Sequence, residues 1–211
     1  IYLDIYKNRK EESNRLITFW KYDLPLTIRK HHKVVLFSFI FFSIFFVIGF
    51  FVSAQNDDIA RSIFGDTYVE HTQENIANGN PFGIYEHGNP ILSWLHLMIH
   101  NIRVSFLLFV SGIFAGVPCL YFSVKNAIMV GVFDQFFAAR GLGIDFWLVV
   151  FVHGTLEITG LIIATAAGLV LGKSFLFPGT IKRIDAFKQG AKDGVKIMIG
   201  LIPVFALAAF F

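Results

Sequence analysis

The chain has 211 residues, 55% of them hydrophobic and 26 of them phenylalanine, with a mean hydropathy of +0.63. So much apolar residue in long runs excludes an ordinary soluble domain. A formal charge of +3, carried by basic residues beside hydrophobic spans, gives no case for nucleic acid.

Residues 1–33 form a basic arm in which eight Lys and Arg outnumber Asp4, Glu11, Glu12 and Asp23. Phe19, Trp20 and Tyr22 lie among them, a mixture suited to the lipid headgroup layer. A helix is predicted over about 1–20, broken before Pro25. The run Arg29–Lys33, RKHHK, reads as a stop at the lipid surface; the rival reading of His31 and His32 is a metal role. Val34–Ala54 is 21 residues, apolar apart from Ser and one Gly, long enough to span. Residues 55–90 change character: Asp57, Asp58, Asp66, Glu70, Glu74 and Glu86 face only Arg61. Thr67 and Glu70 have the spacing of a capping box, and Asn78-Gly79 the character of a helix end. A short helix at about 67–78 in an acidic loop follows, read as a solvated connection or as a surface for a partner.

His96, His100, Asn101 and Arg103 crowd the start of the next apolar stretch. It reads as an amphipathic approach helix over 91–103 and a span over 104–122, with a Gly112/Gly116 GxxxG and a kink at Pro118. Cys119, the single cysteine, lies inside it and has no intrachain disulfide partner. Residues 126–139 are short for a span and carry Asp134, which suits a re-entrant or protein-buried helix equally. A glycine turn precedes Phe146–Gly172. That stretch is 27 residues, almost wholly apolar, yet it carries His153 and Glu157. A carboxylate near mid-bilayer costs roughly 2.5–3.5 kcal/mol on an insertion scale. His153, Glu157, Gly160, Ala164 and Gly168 share one stripe at about 100° per residue, so this helix reads as buried, its polar end facing protein. Residues 180–194 show a shared face of Ile181, Ile184 and Ala191 and read as lying along the membrane. A last span covers about 195–211. Both chain ends read as edges of a longer protein, in which an upstream signal peptide stays open.

The fold class is therefore all-α: a polytopic membrane bundle of about five membrane-embedded helices, with amphipathic interfacial helices, over 34–211. Placing 1–33, Lys125 and 173–196 on one side gathers 15 of the 18 basic residues. The positive-inside rule makes that side cytoplasmic and the acidic 55–90 loop external.

Three stretches carry a resemblance: HNIRVSFLLFVSGIFAG (100–116), NAIMVG (126–131) and HGTLEITGLIIATAAGLVLG (153–172). They resemble the stage II sporulation protein M family of bacterial membrane proteins, with the basic arm as the family's lead-in and 173–211 as its closing helices. Where the family often has two Asn before Ile-Arg-Val, the first here is His100; where it often has Asn-Gly, this chain has Asn126-Ala127. The resemblance implies a multi-pass protein of the bacterial cytoplasmic membrane and an organiser of envelope partners. In spore formers those partners are peptidoglycan-degrading enzymes, and elsewhere family genes neighbour MoxR-type AAA+ ATPases. It also implies a polar set of Asn101, Arg103, Asn126, His153 and Glu157, without a catalytic role.

The pairs His153/Glu157 and His96/His100 each place two metal-type ligands one turn apart, but the HExxH signature is missing, and no Walker loop or GxSxG occurs. No metal or other cofactor is expected. Gly112, Gly116, Gly160, Ala164 and Gly168 are expected to serve helix packing. Three functions stay in view: a non-enzymatic membrane organiser, a channel or transporter component with a polar path, and an intramembrane hydrolase using Glu157 and His153. Membrane lipid and other envelope proteins are the expected partners, with self-association left open.

With Cys119 replaced by Ala, a cysteine at Thr67 should react with a membrane-impermeant thiol reagent in intact spheroplasts. One at Lys188 should react only after lysis. The reverse pattern overturns the orientation.

Overall fold

The computed structural model describes residues 15–56, 58–81 and 89–210. Among them the fold is all helix: α1 (Arg15–Thr18), a π-helical turn (Phe19–Asp23), α2 (Leu24–Lys30), α3 (His32–Ser53), α4 (Asp58–Phe64), α5 (Asp66–Ala77), α6 (Pro90–Ser111), α7 (Val117–Ala138), α8 (Gly143–Leu176) and α9 (Arg183–Phe210). Five of these, α3 and α6 to α9, are long and apolar enough to cross a membrane.

The expected central helix is the axis. α8 runs for 34 residues and packs against α3, α6, α7 and α9. In its most apolar stretch 61% is buried, against 17% for α3, so α3 is a peripheral helix. Its outward residues, among them Leu36, Phe37, Phe39, Ile40 and Ile44, are exposed, an arrangement that water penalises and lipid does not.

Two boundaries differ from the sequence reading. The approach helix over 91–103 and the span over 104–122 do not exist as separate pieces. α6 is continuous from Pro90 to Ser111, and Gly112–Gly116 is a turn. Ala115 and Gly116 adopt left-handed φ of 58° and 79°, and Pro118 falls in the first turn of α7. The glycine and proline taken for packing and kink are a helix stop and a helix start. The turn frees the residues after it, so α7 is a full 22 residues rather than the short 126–139 segment. At the chain's end the expected surface helix and last span are one helix, α9, of 28 residues. Gly190, Gly194 and Gly200 are buried on its core side, which keeps 183–194 on the bundle instead of flat on the membrane.

The arm also departs from expectation. The helix is not broken before Pro25: it continues through it, while the 1–14 part of that prediction lies outside the described residues. Leu24 N–H bonds back to Phe19 C=O, an i→i−5 closure. A proline ring clashes with the carbonyl four residues earlier in a regular helix, and a π-turn just ahead relieves that clash. In the acidic loop α5 matches the expected 67–78 helix closely, but its N-cap is Gly65. The Thr67/Glu70 capping box does not form, because Glu70 reaches Arg61 instead, Nη1 to Oε1 at 3.3 Å.

The bundle is set by two pairs of parallel helices. α6 and α8 meet at Asn101/Glu157, Gly112/Gly168 and Gly116/Gly172, each pair 56 positions apart in sequence. α3 and α7 meet at Ser53/Gln135 and where Gly49 abuts Ile128. α9 closes back along α8, with Gly160 against Phe205 and Gly190 against Ser174.

A Cβ at Gly168 would lie 2.5 Å from Leu108 O and 2.8 Å from Cys119 Sγ, whereas one at Gly154 would find nothing nearer than Val150 Cγ1 at 4.0 Å. Gly168→Ala should lower stability in detergent by about 1–3 kcal/mol, as overpacking does. Gly154→Ala should be neutral or stabilising, since alanine favours helix by about 1 kcal/mol over glycine. Thermal unfolding of the two variants checks the contrast, and equal loss in both contradicts the close α6–α8 contact.

Candidate functional site

α8 brings Glu157 to the α6 face through the same stripe that places Gly168 and Gly172 there. α6 supplies Asn101, about 17 Å along from its start. Asn101 Nδ2 donates to Glu157 Oε1 at 2.6 Å, and Asn101 is only 6% exposed. A hydrogen bond to a charged group contributes about 1.5–3 kcal/mol, comparable to the cost of placing a carboxylate in the membrane. The pair thus offsets the cost of carrying an acid on α8, where Glu157 is half-buried.

The rest of the polar set divides around this pair. Arg103, a candidate partner from its charge, is exposed on α6. It stands two residues past Asn101, about 200° round the helix, so the two cannot serve the same neighbour. Arg103 instead lines a shallow outward groove of about 750 Å³ with His100, Phe106 and Leu107. Asn126, the other candidate, donates to Phe122 O of its own helix at 2.8 Å, while its neighbour Ala127 is the buried residue. His153 is half-buried one turn before Glu157, and no hydrogen-bond partner reaches it among the described residues. His96 and His100 are exposed on α6 and do not join them. No group of three or more His, Cys, Asp or Glu able to hold a metal occurs among the described residues.

Of the packing set, Gly160, Ala164 and Gly168 are buried along α8, and Gly112 and Gly116 pack from the turn against Gly168 and Gly172.

Several polar contacts were not read from the sequence, although Asp134 and the Arg29–Lys33 run were noted in it. Asp134 is 5% exposed near the end of α7 and takes a hydrogen bond from Trp147. Beside it Ser53 Oγ donates to Gln135 Oε1 at 3.2 Å. Ser105 and Ser123 are buried with hydroxyls that find no partner among the described residues. Trp94 Nε1 donates to Ala206 O at 3.0 Å, tying α6 to α9. At the opposite end Lys30 Nζ and His31 Nε2 converge on Asp193 Oδ2 at 2.6 and 2.9 Å. An acid in an apolar run was the available signal for Asp134; the tryptophan and serine contacts had none.

A helical membrane bundle whose axial helix holds a carboxylate–amide pair is the class that the fold and site define. The family model for Stage II sporulation protein M matches residues 38–211, and the chain belongs to that family. Neither curated proteins nor solved structures match it. The match takes in α6 to α9 whole and leaves α1 and α2 outside.

Asn101→Leu should cost about 1–3 kcal/mol by leaving Glu157 unpaired. Asn101→Leu with Glu157→Leu together should recover most of that, and Glu157→Gln, which keeps an acceptor oxygen, should cost less than either. A double-mutant cycle on unfolding in detergent measures the coupling; strictly additive losses contradict the pair.

Proposed function

We propose that the protein is a non-enzymatic organiser in the bacterial cytoplasmic membrane, crossing it several times and recruiting envelope partners. The basic arm and the α8–α9 turn face the cytoplasm, and the α4–α5 cap faces outward. The observation that carries the reading is the cap. Its inner face is fixed to the bundle: Ala60 and Val69 are buried, and Phe64 and Tyr68 pack with tilted rings against Phe133 of α7 at 5.4 and 6.2 Å. Its outer face shows Asp58, Asp66, Glu70 and Glu74 to solvent, with Arg61 the single Lys or Arg between 55 and 90. Arg61 is engaged within the cap, at 3.2 Å from Asp66 and 3.3 Å from Glu70, and those bonds, Asp66 first, hold its guanidinium above the ordinary range.

A docked acidic platform is what a basic partner surface recognises. The family resemblance implies peptidoglycan-remodelling enzymes as the partner class on the cap's side; a MoxR-type AAA+ ATPase system, the other class it implies, needs cytoplasmic ATP and would meet the opposite, basic face. A polar path for an ion or solute is the rival reading, favoured by the buried hydroxyls of Ser105 and Ser123 that lack partners.

Asp58→Lys with Glu74→Lys leaves the Arg61 bonds in place. It should abolish recovery of the native complex while shifting stability by no more than about 0.5 kcal/mol, as surface changes do. An intact complex in that variant, or ion flux in proteoliposomes that is lost with Glu157→Gln, replaces the organiser reading.

A further inference from the structure

We infer that the crevice between α2, α3 and α8 is a binding site for one anionic phospholipid. It holds an acyl chain between the helices and its phosphate at Arg29. The crevice has a volume of about 890 Å³, within the size range of small-molecule sites. Its wall is built from Ile28, Val35, Phe39, Ile158 and Ile162, with the Thr155 and Thr159 side chains as its polar relief. It follows α3 from His32 to Phe39, about 11 Å of helix, starting at the basic end where headgroups lie.

The mouth decides the occupant. Arg29 and His32 line it, and both are exposed. Of its basic neighbours, Lys30 and His31 share Asp193, and Lys33, exposed at the start of α3, does not line the crevice. No carboxylate pairs with Arg29 among the described residues. A guanidinium offers a fork of donors that matches phosphate oxygens. His32 is held by a bond between Nδ1 and Arg29 O at 2.9 Å. A carbonyl only accepts, so Nδ1 carries the proton and Nε2 of the neutral ring is an acceptor, which leaves Arg29 as the donor to a phosphate. Asp193 is engaged by Lys30 and His31, and no carboxylate among the described residues lines the crevice, so nothing in its lining complements the ammonium of a zwitterionic headgroup. An apolar slot open to lipid with an unpaired arginine at headgroup depth therefore selects anionic lipid over zwitterionic lipid.

The lipid also has a structural place. α2 packs on α9, where Leu24 meets Gly200, and α3 packs on α7 and α8. A chain lying between them fills the space left where the helix turns at His31, whose φ is −106°.

The full chain, reconstituted separately in phosphatidylglycerol and phosphatidylcholine nanodiscs and released for native mass spectrometry, tests this. The parent should retain one phosphatidylglycerol and no phosphatidylcholine. Arg29→Gln should weaken retention by roughly tenfold or more, the size of one lost charged hydrogen bond. Thr159→Trp, at an exposed position, should block the slot and remove the lipid with the mouth intact. Arg15→Gln, a basic residue outside the crevice, should change nothing. Equal retention of both lipids overturns the inference, as does equal loss with Arg15→Gln. If Arg29→Gln fails to fold, Thr159→Trp decides: retention unchanged there means that the crevice is not the site.

Discussion

The close approach of α6 to α8 is the constraint on which the bundle rests. In lipid no hydrophobic force draws helices together, so association depends on backbone proximity and on polar groups that need each other. Both are present along this one seam. Gly112 and Gly116 meet Gly168 and Gly172 at one end, and Asn101 meets Glu157 about half way to the other. Because α6 and α8 run the same way, the chain must return between them, and α7 is that return. α3 then packs on α7 and α9 on α8, so the register of one helix pair sets the positions of the others.

The two ends of the bundle are secured by different chemistry. At the acidic end the cap is held by aromatic rings: Phe137 and Phe146 stack, Phe133 meets both edge to face, and Phe64 and Tyr68 join them from above. At the basic end α2 is held by charge, through Asp193, and by Leu24 against Gly200. Aromatic packing is insensitive to salt, whereas exposed ion pairs weaken as salt rises. Lys30 is 60% exposed, so the attachment of α2 responds to its ionic surroundings in a way that the cap does not. The polar pair at Asn101 and Glu157 lies between these ends, shielded from both.

How much was legible in the sequence follows the physics of each signal. Hydrophobic length and the small-residue stripe marked α3 and α8, because both are properties of a single helix. Gly112, Gly116 and Pro118 were visible, but GxxxG with a proline is the same string whether it lies within a helix or stops one and starts the next. Only left-handed φ at Ala115 and Gly116 distinguishes the cases, and this shifted two span boundaries. Glu157 stood out as an acid in an apolar run, and Asn101 was named beside it in the polar set, but not as its partner. Charge pointed to Arg103, and the angular offset of two helical residues points away from it. Partner choice between helices depends on register, which a sequence without its fold does not contain. The same is true of Trp147 with Asp134 and of Trp94 with α9.

The π-turn at Phe19–Asp23 works as an angular setting. Closing a helix over one additional residue shifts everything before it by about 100° relative to everything after. Downstream, Leu24 and Thr27 face the bundle and are buried; upstream, Leu16 and Ile17 are 71% and 60% exposed. The two stretches are out of phase, and the upstream apolar side chains are turned away from the bundle. Chain length across these five residues, rather than their identity, fixes that phase. Loss of any one of them would rotate the arm against a bundle that itself stays unchanged.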